Sequence, residues 1–345
     1  MCRRQSNGGV TVHRLLMKKK FIGRVSNYRY QEAVGMAKVR NLIIGCDGTW
    51  NDTDDPDHTN VVKILNACAA KNQLVHYEEG VGTAHWEALP GGIYGKGLDR
   101  QILGAYRFLR KRFADTDWAR EENRVFIFGF SRGSYAARRL AGLITHSGVP
   151  VKAGDVELAW QLYLKRDTAS ADHLKQSGAF FDIPVEMLGV WDTVKTTTDE
   201  DFNDHKLPKC VVAGYHAMAI DEKRKFFPVL KWNNEARVNQ TWFPGVHSDV
   251  GGGYKESGLS DIALHWMIDR AYKHGVSFKA SAVRKLKKDP GGKIHNSYDG
   301  IWKAFGTKAR PIAKSAKVHI STRQRMQKVA GYHPSNLPAE PDYET

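Results

Sequence analysis

The pentapeptide Gly129-Phe130-Ser131-Arg132-Gly133 has the composition of a nucleophile elbow, a sharp strand-to-helix turn that exposes a serine hydroxyl. Serine is a weak nucleophile until a base takes its proton, so a histidine must lie within hydrogen-bond reach, itself oriented by a carboxylate. The chain order expected with such an elbow is Ser, Asp, His. Asp192 closes the apolar run Val185 to Trp191, and His247 lies in Phe243-Pro244-Gly245-Val246-His247-Ser248-Asp249. Both stand at predicted strand ends, where catalytic groups gather in open α/β sheets. Ser131, Asp192 and His247 are therefore the candidate catalytic set. The simpler alternatives are a capping serine in a glycine-rich turn and an aspartate that only shapes a turn. Asp249 is the rival acid; two residues from His247, it could instead hold the loop or the glycine run beyond it.

Acyl transfer also needs donors for the oxyanion. The backbone N–H of Arg132 is one candidate, and the loop Asp47-Gly48-Thr49-Trp50-Asn51 has the glycine and the position to supply a second, from Gly48 or Thr49. An aspartate after a first strand, such as Asp47, could also mark a phosphatase or metal site. That chemistry requires further carboxylates at fixed spacing, which Gly48 and Thr49 do not provide. No metal and no cofactor is expected, and Asp47 is kept as a supporting residue. His216, His265, His295 and His319 have less distinctive surroundings and read as structural or surface residues.

The elements needed to present these residues can be read around them. Asn41 to Cys46 is a short apolar run entering a loop, the pattern of a buried parallel strand. A helix is expected from Asn60, read as its cap, to Ala70, and a second strand at Leu74 to Tyr77. The stretch from Gly80 to Gly97 holds six glycines and reads as a mobile loop at a pocket rim. A helix from Leu98 to Phe113 and a strand from Arg124 to Phe128 come next, then the elbow, then a helix over Tyr135 to Ile144. Strands at Val185 to Trp191 and Gln240 to Val246 complete the reading. Strands alternating with helices imply an α/β fold, a mostly parallel sheet flanked by helices, with cap regions of helix and loop.

With 345 residues the chain can bury a single sizeable core. Residues 1–38 read as a flexible leader, 39–275 as the catalytic domain, and 276–345 as a basic extension packed on or appended to it. Lys and Arg number 52 against 37 acidic residues, a formal charge of +15, and the excess is unevenly placed. Between Lys273 and Lys328 there are fifteen Lys or Arg and only Asp289 and Asp299 as acids, net +13. Such a stretch fits an anionic partner, although a solvated basic face is the plain alternative. The four cysteines have no metal-ligand spacing and read as reduced thiols. The basic N-terminus lacks a signal-peptide apolar region, and no apolar run approaches the ~18 residues needed to span a bilayer. A cytoplasmic protein, or one exported without a signal peptide by a specialised system, is expected.

Several blocks resemble the signature segments of the α/β-hydrolase domain family that includes phospholipase effectors of type VI secretion. They are Cys46 to Asn51, Thr59 to Val62, Gly80 to Thr83, Gly129 to Gly133, Val190 to Val194, His216 to Glu222 and Phe243 to Tyr254, spread over residues 40–270. The resemblance implies a Ser-Asp-His esterase acting on lipid, with Ser131, Asp192 and His247 at the matching motif positions and no metal in the chemistry. An immunity or adaptor protein is an expected partner of such an effector.

Phospholipid ester hydrolysis is thus the leading reading, with the basic C-terminal stretch making peripheral contact with an anionic membrane. A soluble carboxylesterase or thioesterase using the same residues is the second. A basic binding module without catalysis is the third; no RNA-binding aromatic signature accompanies the lysines, which argues against nucleic acid.

Overall fold

The computed structural model describes residues 39–48, 57–80, 95–114, 119–194 and 205–345. The chain divides into two units, Met1–Ala37 and Lys38–Thr345, and every described element belongs to the second. The leader, most of the Gly80 to Gly97 loop, and Thr49 to Asn51 lie outside the described residues.

The N-terminal half runs β1 (Arg40–Cys46), α1 (Asn60–Ala67), β2 (Gln73–Glu78), α2 (Gly95–Phe113), β3 (Asn123–Phe130) and α3 (Arg132–Ser147). A small antiparallel pair, β4 (Val149–Pro150) and β5 (Phe180–Phe181), brackets α4 (Val156–Lys165) and α5 (Thr168–Gln176). The main sheet resumes with β6 (Val185–Trp191), β7 (Val211–Ala219) and β8 (Val238–Phe243). After these come α6 (His247–Gly251), α7 (Ser260–Lys273), α8 (Ala280–Arg284), β9 (Lys317–His319), α9 (Ile320–Lys328) and β10 (Asp342–Glu344). Eight strands pair in the order β10-β9-β8-β7-β6-β3-β1-β2, and every pairing is parallel.

The central strands are apolar on both faces, as a sheet covered by helices on both sides requires. In β1, Leu42, Ile44 and Cys46 join a core with Ile102, Tyr106 and Leu109 of α2 and with residues of α3 and α4. Ile43 turns to the opposite core, where Val61, Ile64 and Leu65 of α1 meet Phe126, Phe128 and residues of α7. The α/β architecture expected from the strand and helix alternation is present.

Several boundaries differ from the sequence reading, each for a local reason. Thr59, not Asn60, caps α1: its side chain accepts from Val62 N, while the Asn60 amide donates to Val250 O at 2.8 Å and Ser260 O at 3.0 Å. The helix stops at Ala67 rather than Ala70, because Cys68 bridges to Phe278. β8 ends at Phe243, and Gly245 at φ +112 turns the chain into α6, so His247 begins a helix and does not end a strand. β7 has no counterpart in the sequence reading; Gly214 and three alanines dilute its β-branched signal. Residues 276–345 supply the last two strands at one side of the same sheet, β9 beside β8 and β10 at the edge.

Candidate active site

β3 ends one residue before Ser131, and α3 begins one residue after it. Ser131 sits at φ 57, ψ −122, a region that costs a non-glycine residue on the order of 1–3 kcal/mol and persists only where surroundings impose it. Two glycines permit the crowding. A Cβ on Gly129 would lie 2.6 Å from Gly133 O, and one on Gly133 would lie 2.1 Å from Cys46 O. The turn is stapled to the end of β6: Ser131 N donates to Trp191 O at 3.0 Å. Ser134 Oγ reaches Gly129 O at 2.7 Å and Trp191 O at 2.8 Å.

The same β6 end delivers Asp192, also in the left-handed region at φ 42. His247, from the start of α6, lies between them. Its Nδ1 is 2.5 Å from Asp192 Oδ2 and its Nε2 is 2.8 Å from Ser131 Oγ. With Asp192 ionised, Nδ1 carries the proton and donates to it, leaving Nε2 to accept from the serine hydroxyl. The buried imidazole ring meets Phe130, tilted at a centroid distance of 4.7 Å, and Phe227, edge-on at 5.3 Å. Burial lowers the His247 pKa against the pull of Asp192. Burial also opposes the Asp192 charge, but Arg310 and His247 overcome it and hold the carboxyl well below the usual range. The arrangement has the geometry needed to remove the Ser131 proton and to stabilise the imidazolium that results.

Asp249 takes a different place from the one a rival acid would need. It pairs with His295 Nδ1 at 2.6 Å and accepts from Val246 N at 3.0 Å and His295 N at 3.1 Å. It therefore ties the His247 turn to the C-terminal segment, and His295, undistinguished in the sequence, is its partner. Asp47 is buried at the end of β1. It accepts from Thr59 Oγ1 at 2.5 Å, Gly48 N at 2.7 Å and Tyr77 Oη at 3.1 Å, and burial outweighs these bonds to push its pKa up to about 6. The close approach of Gly133 to Cys46 and Asp47 sets the 47–48 turn beside the elbow. The Gly48 N–H is engaged by Asp47, and Arg132 opens the first turn of α3.

Three further residues surround the site: Arg310 carries no mark in the sequence, while His216, read there as structural or surface, and Glu222 bound one of the blocks of the family resemblance. Arg310 contacts both oxygens of Asp192, at 2.6 and 2.9 Å. Glu222, paired with Arg224, accepts from the His247 backbone N–H at 3.2 Å. His216, fully buried on β7, accepts from Thr193 N at 3.1 Å through Nε2, and burial lowers its pKa to about 3. The β6–β7 register, which sets Val190 opposite His216, is the signal that points to it. Among the described residues no cluster of three or more His, Cys, Asp or Glu is arranged to hold a metal.

The family model for the type VI secretion phospholipase effector Tle1-like catalytic domain matches residues 40–270. The chain belongs to this family. The family's description names a catalytic domain, and the matched stretch contains Ser131, Asp192 and His247. The chain is also similar to the uncharacterized protein YEL023C of Saccharomyces cerevisiae, 26% identical over 226 residues, covering 55% of this chain and 32% of the yeast protein. Among solved structures, an uncharacterized protein from Pseudomonas aeruginosa matches 71% of this chain and 47% of its own, at 18% identity and TM-score 0.46. The Tle1 effector bound to the VgrG spike of the type 6 secretion system matches 64% and 52%, at 19% identity and TM-score 0.38. This Tle1-like chain thus spans about a third of the yeast relative and about half of the two solved proteins.

Proposed function

We propose that the domain is a serine esterase cleaving acyl ester bonds of phospholipids, with Ser131 as nucleophile, His247 as base then acid, and Asp192 as the carboxylate that orients the imidazole. The supporting observation is the unbroken path Ser131 Oγ to His247 Nε2 (2.8 Å) and His247 Nδ1 to Asp192 Oδ2 (2.5 Å). Ser131 Oγ attacks the acyl carbonyl while its proton passes to His247, which returns it to the departing alcohol. Water, deprotonated by the same imidazole, then resolves the acyl-enzyme. The Arg132 N–H and a donor from the 47–49 turn would hold the oxyanion, each contributing about 3 kcal/mol. Gly48 can serve only by releasing Asp47, and Thr49 lies outside the described residues.

A lipid surface as substrate is supported by the ridge beside His247. Residues 223–227 pair with 305–308 through Lys308 N to Lys223 O (2.8 Å) and Lys225 N to Gly306 O (3.3 Å). Phe226, 41% exposed, meets Phe305 edge-on at 5.4 Å, with Lys223, Lys225 and Lys308 around them. Each basic side chain close to an anionic bilayer adds about 1 kcal/mol of attraction, so peripheral docking there would bring lipid to the serine. Among the described residues, no helix is long and apolar enough to cross a membrane. Export by a specialised secretion system is the localisation proposed from family membership. A cavity of about 570 Å³ among Trp266, Arg270, His319 and Gln324 shares no residue with the Ser131 site.

The test is product analysis by mass spectrometry after incubating wild type and Ser131→Ala with anionic and zwitterionic liposomes of chain-labelled phospholipid. Fatty acid released by wild type and absent with the variant supports the reading, and the label identifies the ester cut. No Ser131-dependent product from either lipid, with turnover of a short soluble ester retained, would replace it by the soluble esterase reading.

A further inference from the structure

Arg310 and Asp192 close a hydrogen-bond set with no spare member. A guanidinium has five N–H donors, and all five of Arg310 are used. Nε donates to Phe227 O (3.3 Å), Nη1 to Asp192 Oδ1 (2.6 Å) and Ala219 O (2.9 Å), Nη2 to Asp192 Oδ2 (2.9 Å) and Phe227 O (2.8 Å). Asp192 in turn receives the two Arg310 bonds, Ala219 N at 2.9 Å and His247 Nδ1 at 2.5 Å. Arg310 is buried, and its carbonyl is held by Asn336 Nδ2 at 3.1 Å. It belongs to the segment leading into β9, outside the stretch that the family model matches.

We propose that Arg310 is a positioning residue for ester hydrolysis, its planar fork fixing the Asp192 carboxylate so that one oxygen meets His247 Nδ1. This rests on the Ser131, His247 and Asp192 assignment above. A carboxylate turns easily about its terminal bond; two parallel bonds from one rigid group remove that rotation, and an ammonium cannot replace them.

The same contact has an electrostatic consequence. While His247 is neutral, Asp192 and Arg310 cancel, and proton uptake by the imidazole leaves the buried set with one positive charge. Without Arg310, that proton would instead neutralise a lone carboxylate and would bind more readily. Arg310 therefore keeps the base unprotonated to lower pH. The other charged or titratable groups around His247 are Glu222 and Arg224 after β7, His216 on β7, and Asp249 on α6 with its partner His295. Glu222 pairs with Arg224 and Asp249 with His295.

The test compares full-length wild type, Arg310→Lys and Arg310→Gln by NMR titration of the His247 imidazole and by the pH profile of kcat/KM on a soluble acyl ester. In Arg310→Gln the His247 midpoint and the acid limb should rise together by on the order of one pH unit. Arg310→Lys keeps the charge and loses the fork, so its midpoint should stay in place while kcat falls roughly tenfold or more and KM changes little. A folded Arg310→Gln with an unmoved midpoint, or an Arg310→Lys with wild-type kcat, would overturn the proposal. Should Arg310→Gln lose its cooperative unfolding transition, the kcat of Arg310→Lys decides alone. The titration needs no turnover, so absence of Ser131-dependent hydrolysis in wild type would count against the functional reading and leave the Arg310 test standing.

Discussion

Replacing Gly133 by alanine would put a Cβ 2.1 Å from the Cys46 carbonyl oxygen and 2.5 Å from the carbonyl carbon and oxygen of Asp47. Ordinary contact begins near 3.4 Å, so the end of β1 and the elbow would have to part by about 1.3 Å. Neither side yields easily. Cys46 lies in register with Glu78 and Gly129 on its two neighbours, and Asp47 N donates to Glu78 O. The elbow is fastened to Trp191. We expect a loss of about 2–3 kcal/mol, the upper part of the range for overpacking. Because the displaced backbone adjoins Ser131, kcat on a soluble ester should fall roughly 100-fold, as a misplacement of about 1 Å does elsewhere. Two other glycines calibrate the result. Gly142→Ala would meet the far end of the Tyr163 side chain at 2.7 Å, and Gly154→Ala has nothing within 4 Å. The first should be within about 1 kcal/mol of wild type and the second neutral or stabilising by about 0.4–1 kcal/mol. Urea unfolding and the rate of fluorophosphonate labelling of Ser131 measure both properties. Wild-type stability and labelling in Gly133→Ala would refute the packing described for the elbow.

Asp192→Asn should cut kcat by about 10³–10⁴-fold in a folded protein by losing the imidazole orientation, read as steady-state turnover; a change under tenfold would remove Asp192 from the relay. Thr59→Ala deletes both the α1 cap and the 2.5 Å partner of Asp47 and should lower urea stability by about 1–2 kcal/mol, with Thr59→Ser recovering most of it. Stability should also fall on acidification. His216 and His319 are held neutral by burial, with pKa values near 3 and 4. The unfolded chain takes up those protons below about pH 6.5, and the folded chain does not. Asp47, raised to about 6, has the opposite sign, since its folded form gains a proton first and recovers stability between pH 6 and 4. These three groups alone sum to a net loss of roughly 2–3 kcal/mol between pH 7.5 and pH 5, and His247, its pKa also lowered by burial, acts in the same direction as the other two histidines. Unfolding at both pH values checks it, and equal stability would mean that these histidines are not kept neutral by the fold.

The elbow and the alternation of strands and helices are legible in the sequence alone, because both are short-range. Two glycines around Ser131 and an apolar strand leading into an alanine- and leucine-rich helix carry their meaning within about twenty residues. The candidate set Ser131, Asp192, His247 rests on chain order and on strand-end position. The remainder exists only in the folded chain. Asp249 is nearest to His247 along the chain, yet residues two apart on a helix do not face each other; the imidazole meets Asp192, and Asp249 meets His295. Thr59 takes the cap because the Asn60 amide is spent on carbonyls from α6 and α7. β9 and β10, three residues each, are too short to show a period. Arg310 is one of fifteen cations in a stretch of net +13, where charge counting cannot separate a solvated side chain from a buried one. Only the fold brings it across 118 positions onto Asp192, since a hydrogen-bond set of that span forms only once the chain has closed around it.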